Sequence, residues 1–431
     1  MNLTCVSPAF AFCFAQCLLF VSAQYAAAEP SKHVLIIGVD GAGGQYVEPA
    51  ATPAIDALAA AGAVRYDFYN EGALTPDPPE GYGASGVNWS TIVTGASAEH
   101  HGVIDNSFAG AHFDQYPHFF QRVKGHDPNL FTASISHWAP INTEITPDEH
   151  TDFELEPTSD AAVRSAAVSL MQNGDPDAVF LHFDEVDGAG HGYGWGGPQH
   201  TAAIEMADSL IGDVIAAMNA RPGVVAGEED WLVIVTADHG AAPGSTGHFA
   251  SQGLPNWEVP FVVSGPSVAP GAPMQRGSLR DVASTALWHL GIDPFLAEMD
   301  GAVRGLVVPP PTGVVGDFNG DGVLSGNGAG DPDADDVATF LAGWLVRGGG
   351  SIEERYARGD ANYDGVTDLQ DWALINNQNP TLGAALGRAL THVVPEPAMF
   401  VPSAMAIGSM LVCRSRGARV EGSDDDTTTE Y

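Results

Sequence analysis

The chain has 431 residues, with 16 Lys and Arg against 54 Asp and Glu, a formal net charge of −38 at pH 7. That balance excludes recognition of nucleic acid through a basic face. Charged residues make up 16% of the chain and hydrophobic residues 45%, which supplies a sizeable core, excludes global disorder and fits two or three domains.

In chain order, residues 1–28 contain no Asp, Glu, Lys or Arg, run apolar from Ala9 to Ala23, and end in Val21-Ser22-Ala23 and Ala26-Ala27-Ala28. An apolar run closed by small residues is the pattern of a secretory signal peptide cut after Ala23 or Ala28, so the protein is expected to be exported, extracellular or at the cell surface. Cys5, Cys13 and Cys17 fall within that segment and Cys413 in the tail. The region between is expected to have neither a disulfide nor a catalytic thiol.

From residue 29 to 308 apolar runs alternate with Ala-rich stretches. His33–Val39, Ala178–Phe183 and Trp231–Thr236 are continuously apolar, as strands buried on both faces are, and Val259–Ser264 follows as another. Ile55–Ala61, Asp160–Met171 and Thr201–Met218 read as helices, opened by Thr52-Pro53 and Thr158-Ser159-Asp160. The predicted fold class is α/β, a mostly parallel central sheet with helices on both faces. Each of the first three strands is followed by acidic residues: Asp40, then Asp184, Glu185 and Asp187, then Asp238. In open parallel sheets the ligand crevice lies outside the carboxyl ends of the strands, where these groups can converge. Asp187-x-x-x-His191, Asp238-His239 and His248 add imidazoles. Mixed carboxylate and imidazole donors suit zinc or a similar divalent ion, in numbers sufficient for two.

A nucleophile is offered by Gly83-Ala84-Ser85-Gly86-Val87-Asn88-Trp89-Ser90-Thr91-Ile92-Val93-Thr94-Gly95. This run falls one residue short of a Gly-x-Ser-x-Gly elbow, and Asn88-Trp89-Ser90 matches a glycosylation acceptor. With Glu99-x-His101-Gly102-Val103-Ile104-Asp105-Asn106, it resembles the active-site stretch of type I phosphodiesterases and nucleotide pyrophosphatases, of the alkaline phosphatase superfamily. The likeness extends over residues 33–305, through Thr52–Leu58, Asp187-x-x-Gly190-His191, Thr236-Ala237-Asp238-His239-Gly240 and Gly247-His248.

The resemblance implies an alkaline phosphatase-like fold and a two-zinc site. Asp40, Asp238, His239 and the Ser85 oxygen would hold one ion, and Asp187, His191 and His248 the other. Ser85 would be the nucleophile, passing through a phosphoserine, and Asn88 would donate to a phosphoryl oxygen. A free serine hydroxyl is a weak nucleophile at neutral pH, and metal coordination can activate it. The implied substrate is a small phosphate ester. Gly86 stands where nucleotide-specific relatives carry an aromatic residue, and no Lys or Arg lies between Arg65 and Arg122 to clamp a monoester. The sulfatase pattern Cys/Ser-x-Pro-x-Arg is missing. A phosphodiesterase or pyrophosphatase is therefore expected. A phosphomonoesterase or sulfatase-like hydrolase, and an inactive attachment protein acting through calcium repeats, stay open as alternatives.

Pro309-Pro310-Pro311-Thr312-Gly313 marks a linker, 309–316, before an acidic module over 317–380. Asp360-x-Asn362-x-Asp364-Gly365-Val366-x-Asp368-x-x-Asp371 sets oxygen donors at positions 1, 3, 5, 9 and 12 of a loop, with Gly at 6 and the Val366 carbonyl at 7, the pattern of a Ca2+ loop. Asp317-x-Asn319-x-Asp321-Gly322 begins a second loop, in which an insertion from Gly326 to Ala334 moves the closing carboxylate to Asp336. With Trp372–Asn377 as a following helix, these loops resemble the dockerin repeats of bacterial surface proteins. The resemblance implies a small α-helical, EF-hand-like module and a cohesin-like or other surface partner, or else a calcium-stiffened stalk.

Residues 381–393 are expected to be a linker. In 394–419, Pro395-Glu396-Pro397, an apolar stretch Ala398–Val412 and then Arg414, Arg416 and Arg419 resemble the PEP-CTERM sorting signal, implying a sorting protease as partner and transient membrane anchoring. An acidic tail, 420–431, ends the chain.

Overall fold

Strand β1 (Ser31–Val39) is buried from His33 to Val39, a continuously apolar segment that only a central position covered on both faces can accommodate. In the computed structural model, which describes residues 29–147, 150–271, 274–295, 298–347 and 350–393, it is the middle of seven strands. The others are β2 (Ala63–Tyr69), β3 (Thr132–Ser136), β4 (Phe153–Leu155), β5 (Ala178–Phe183), β6 (Glu229–Thr236) and β7 (Glu258–Ser264), in the order β2-β7-β6-β1-β5-β3-β4. The predicted signal peptide, sorting signal and acidic tail lie outside the described residues. Among the described residues no helix is long and apolar enough to cross a membrane.

β1 runs parallel to both β5 and β6, and β3 parallel to β4 and β5. β7 pairs antiparallel with β6 and with β2, so it alone runs against the rest of a mixed sheet. Helices form two packed groups: Pro53–Ala61 and Asp160–Asn173 against Pro198–Asn219, and Ser85–Thr94 and Phe119–His126 against Asp281–His289. One group covers each face of the sheet. Local chemistry starts them, Pro53 at a first helical position and the Ser159 side chain accepting from Ala162 N–H.

Beyond residue 308 the chain does not leave the α/β layer. Phe295 and Val303 join Phe318, Phe340, Tyr356 and Tyr363 in one buried apolar cluster, with Trp288 and Leu306 packed on it. Asn362 Nδ2 donates to Gln275 Oε1 at 3.1 Å, and the Arg355 guanidinium lies 5.1 Å above the Phe295 ring. The acidic module is thus docked on the sheet domain, where a free stalk was one expectation. Residues 381–393, expected as a linker, belong instead to a helix, Pro380–Val393, which buries Leu382, Leu386 and Leu390 in the same cluster. Apolar residues spaced by four put one stripe on that cluster, a periodicity the Gly and Thr content of the segment masks.

Candidate metal centre

Sheet order brings the carboxyl ends of β6, β1 and β5 side by side, and the three acidic segments meet there. Asp40 follows β1 directly. Asp187 and His191 are one turn apart on helix Glu185–Tyr193, behind β5, and Asp238 and His239 follow β6. Ser85 is the first residue of helix Ser85–Thr94, whose N-terminal dipole favours an anion. Its Oγ stands 3.5 Å from Asp40 Oδ1 and 3.3 Å from His239 Nε2.

The same His239 Nε2 is 3.4 Å from Asp40 Oδ1, 3.4 Å from Asp238 Oδ2 and 3.9 Å from Asp187 Oδ1. His248 Nε2 lies 3.8 Å from Asp187 Oδ1, and His191 Nε2 3.4 Å from Asp187 Oδ2. Two ligand sets emerge, Asp40 with Asp238 and His239, and Asp187 with His239 and His248. His191 adjoins the second set through the other Asp187 oxygen.

Each of the three histidines has its Nδ1 on a backbone carbonyl: His239 on Gly240 at 3.1 Å, His248 on Gly83 at 2.8 Å and His191 on Thr246 at 2.8 Å. A carbonyl only accepts, so Nδ1 carries the proton and Nε2 presents a lone pair to the carboxylates. Asp187 Oδ1 and Asp238 Oδ2 are buried without a hydrogen-bond partner. Burial, reinforced by neighbouring carboxylates, pushes Asp187 up to about 9 and Asp238 up to about 8, and holds Asp40 well above the usual range. Burial likewise lowers His248 to about 4. Acceptor-only groups gathered around orphaned oxygens are costly without a cation and fit a divalent metal with one.

Asp40 is held from behind. Its Oδ2 accepts from Trp89 Nε1 at 2.9 Å and from His182 Nε2 at 3.1 Å, leaving Oδ1 for the site. His182 is fully buried and its Nδ1 accepts from Trp138 N–H at 3.3 Å, so both ring nitrogens are committed and it is not a ligand despite its closeness to Asp40 and Asp184. Neither His182 nor Trp89 carried a sequence signal beyond lying in an apolar run.

Asn88 is a correction. It is fully buried, its Nδ2 donating to the Tyr82 and Ala84 carbonyls and its Oδ1 accepting from Glu71 N–H, so it braces the turn before Ser85 and has nothing to offer a phosphoryl group. The same burial removes it as a glycosylation acceptor. One helical turn from Ser85, Asn88 points into the core. Asn106 lies at the site instead, its Oδ1 accepting from Gly86 N–H at 2.7 Å. A Cβ at position 86 would come within 2.9 Å of that oxygen, which explains the glycine there.

The acidic loops are ordered by their own backbone. Asp360 accepts from Asp364 and Gly365 N–H, Asp364 from Val366 N–H, Asp371 from Asn362 and Asp368 N–H, and Asp368 caps helix Leu369–Gln378. In the other loop, Asp317 accepts from Gly322 N–H, Asn319 from Asp321 N–H, and Asp336 closes over Phe318, Asn319 and Ser325. Burial with mutual repulsion raises Asp360 to about 7 and Asp371 to about 8, and Asp317 Oδ1 is buried without a partner.

Comparison with known proteins places the chain in a family. Curated relatives include a phosphopentomutase of Methylobacterium sp. (strain 4-46), 32% identical over 35% of this chain and 34% of the relative, and one of Vibrio cholerae, 32% identical over 29% and 28%. The matched stretch thus spans about a third of those proteins. A solved structure described as a sulfatase of Bacteroides thetaiotaomicron superposes with a TM-score of 0.50 at 14% identity, over 63% of this chain and 73% of that one, showing a shared alkaline phosphatase-like fold. Murine ectonucleotide pyrophosphatase/phosphodiesterase 5 gives 0.48 at 14% identity, over 61% and 95%. The family model for type I phosphodiesterase/nucleotide pyrophosphatase matches residues 34–144 and 123–284, together more than half of the chain. The chain belongs to the type I phosphodiesterase/nucleotide pyrophosphatase family.

Proposed function

We propose that the protein is an exported two-metal phosphohydrolase acting on phosphate diesters or pyrophosphates through Ser85. The observation that carries this is the pair of orphaned carboxylate oxygens, Asp187 Oδ1 and Asp238 Oδ2, faced by imidazole nitrogens beside the serine. Asp40, Asp238, His239 and Ser85 would hold one divalent ion, and Asp187, His191 and His248 a second, with His239 between them. Two zinc or similar ions supply Lewis-acid stabilisation of phosphoryl charge and lower the pKa of the attacking oxygen.

The chain's own residues do the rest. The helix N-terminus and Asn106 cradle the phosphoryl oxygens. Ser85 Oγ gives up its proton to solvent and attacks phosphorus, forming a P–O bond as the ester oxygen leaves with the bonding pair. Phosphorus keeps its other ester group, so water then cleaves the seryl phosphodiester, releasing a phosphate monoester and regenerating the hydroxyl. A diester is favoured because no Lys or Arg lies between Arg65 and Arg122 in the sequence, and among the described residues Arg65 and Arg276 are paired with Asp67 and Arg280 with Glu71.

Calcium in the loops of Asp317 and Asp360, a signal peptide cut before residue 29 and a sorting protease acting at the Pro-Glu-Pro segment complete the proposal. The decisive experiment supplies zinc and compares hydrolysis of a chromogenic phosphate diester, the matching monoester and the sulfate ester. Diester turnover is expected, falling by about 10³-fold or more in Ser85→Ala. Monoester preference would overturn the substrate class, and undiminished Ser85→Ala turnover the nucleophile.

A further inference from the structure

The carbonyls that orient His248 and His239 belong to Gly83 and Gly240, 157 residues apart in sequence (240 − 83). One side chain joins them. Asn256 is fully buried, and its Nδ2 donates to Gly83 O at 3.3 Å and to Gly240 O at 3.0 Å, one amide hydrogen for each. Its orientation is fixed by Asn70, whose Nδ2 reaches Asn256 Oδ1 at 3.4 Å and the Asn256 carbonyl at 3.1 Å. Gly240 N–H in turn donates to Asn256 O at 3.0 Å. The packing is close enough that a Cβ at Gly83 would fall 2.8 Å from Asn256 Oδ1.

We infer that Asn256 is a positioning residue that fixes two histidine ligands of the metal pair and the nucleophile turn as one unit. Gly83 lies two residues before Ser85, so the carbonyl that sets the His248 tautomer also sets the serine's approach. Histidine ligands keep their affinity when the acceptor on the far nitrogen is itself held. Without Asn256 both carbonyls lose a donor, and both imidazoles lose a fixed acceptor at once. This rests on the two-metal reading, so the wild-type chain must first bind two zinc ions; if it does not, that reading fails before this one is tested.

The experiment measures zinc affinity and stoichiometry, and thermal unfolding with zinc and with chelator, for Asn256→Asp and Asn256→Ala. Asn256→Asp keeps the shape and removes both donors. The expected result is about a tenfold or greater weakening of both ions together, with a rise in Tm on adding zinc much smaller than in wild type. A purely structural role would lower Tm equally with zinc and with chelator and leave zinc affinity unchanged, which would overturn the inference. Should neither variant fold, Asn256→Ser, whose short side chain cannot reach both carbonyls, decides it: weakened zinc binding supports the role, and wild-type binding rejects it.

Discussion

The metal centre at the sheet edge and the acidic loops of the module are both built from carboxylates, but they manage the charge differently. In the loops Asp317, Asp321, Asp336, Asp360, Asp364, Asp368 and Asp371 each accept at least one backbone N–H from within a dozen residues, so the shape is specified locally. At the sheet edge the ligands come from four separate segments, two oxygens have no partner, and orientation comes from carbonyls and buried side chains elsewhere in the fold. A contiguous site can be shaped before its ion arrives. A convergent one depends on the surrounding fold for its geometry and on the ion for its charge balance.

The sharpest way to break this comparison is to disturb the support and leave the ligands alone. His182→Phe keeps the ring volume but removes the donor to Asp40 Oδ2. It is expected to weaken zinc by about 10- to 100-fold, measured by competition with a chromophoric chelator. Unchanged affinity would mean that Asp40 needs no support beyond Trp89.

A second effect is pH-dependent stability without metal. The Asp187 and Asp238 carboxyls sit at about 9 and about 8 in the folded chain, against an ordinary 3.8. Folding then takes up protons, so their contribution is fully present below pH 4 and is lost as pH rises through 8 to 9. In chelator Tm should fall between pH 6 and 9, and zinc should remove most of that fall by making the ionised carboxylates the favoured form. A Tm independent of pH in chelator would show that these groups titrate normally.

The smallest expected effect lies in the module. Asp371→Asn should abolish the rise in Tm given by calcium, while diester turnover with zinc stays within about twofold, because the Asp360 and Asp364 carboxylates keep their own backbone bonds in the loop. A collapse of turnover would show that the docked module supports the catalytic layer directly.

The same contrast governs what the sequence revealed. The loops were legible because their donors are consecutive. So were β1, β5 and β6, which are unbroken apolar runs. Asp40, Asp187 and Asp238 were legible as candidates because each follows such a strand, whereas Ser85 and His248 stood out through the family resemblance. β3, with sequence Thr-Ala-Ser-Ile-Ser, and the three-residue β4 carry too little apolar content to announce a strand, and they owe their place to pairing with β5 and with each other. Asn88 was misread because its neighbourhood along the chain suggested the site, whereas helical geometry turns it inward. His182, Asn106 and Asn256 act on residues 142, 20 and 173 positions away, a relationship no local pattern encodes.

Helix Ser85–Thr94 is buried along its whole length, so its first residue is bolted to the interior, whereas residues 104–107, including Asn106, are exposed. Such a division sets a rigid hydroxyl beside a loop whose side chains the core does not constrain. Side chains in that loop can change at little cost to folding, so differences among related chains are expected to collect there before they reach the helix.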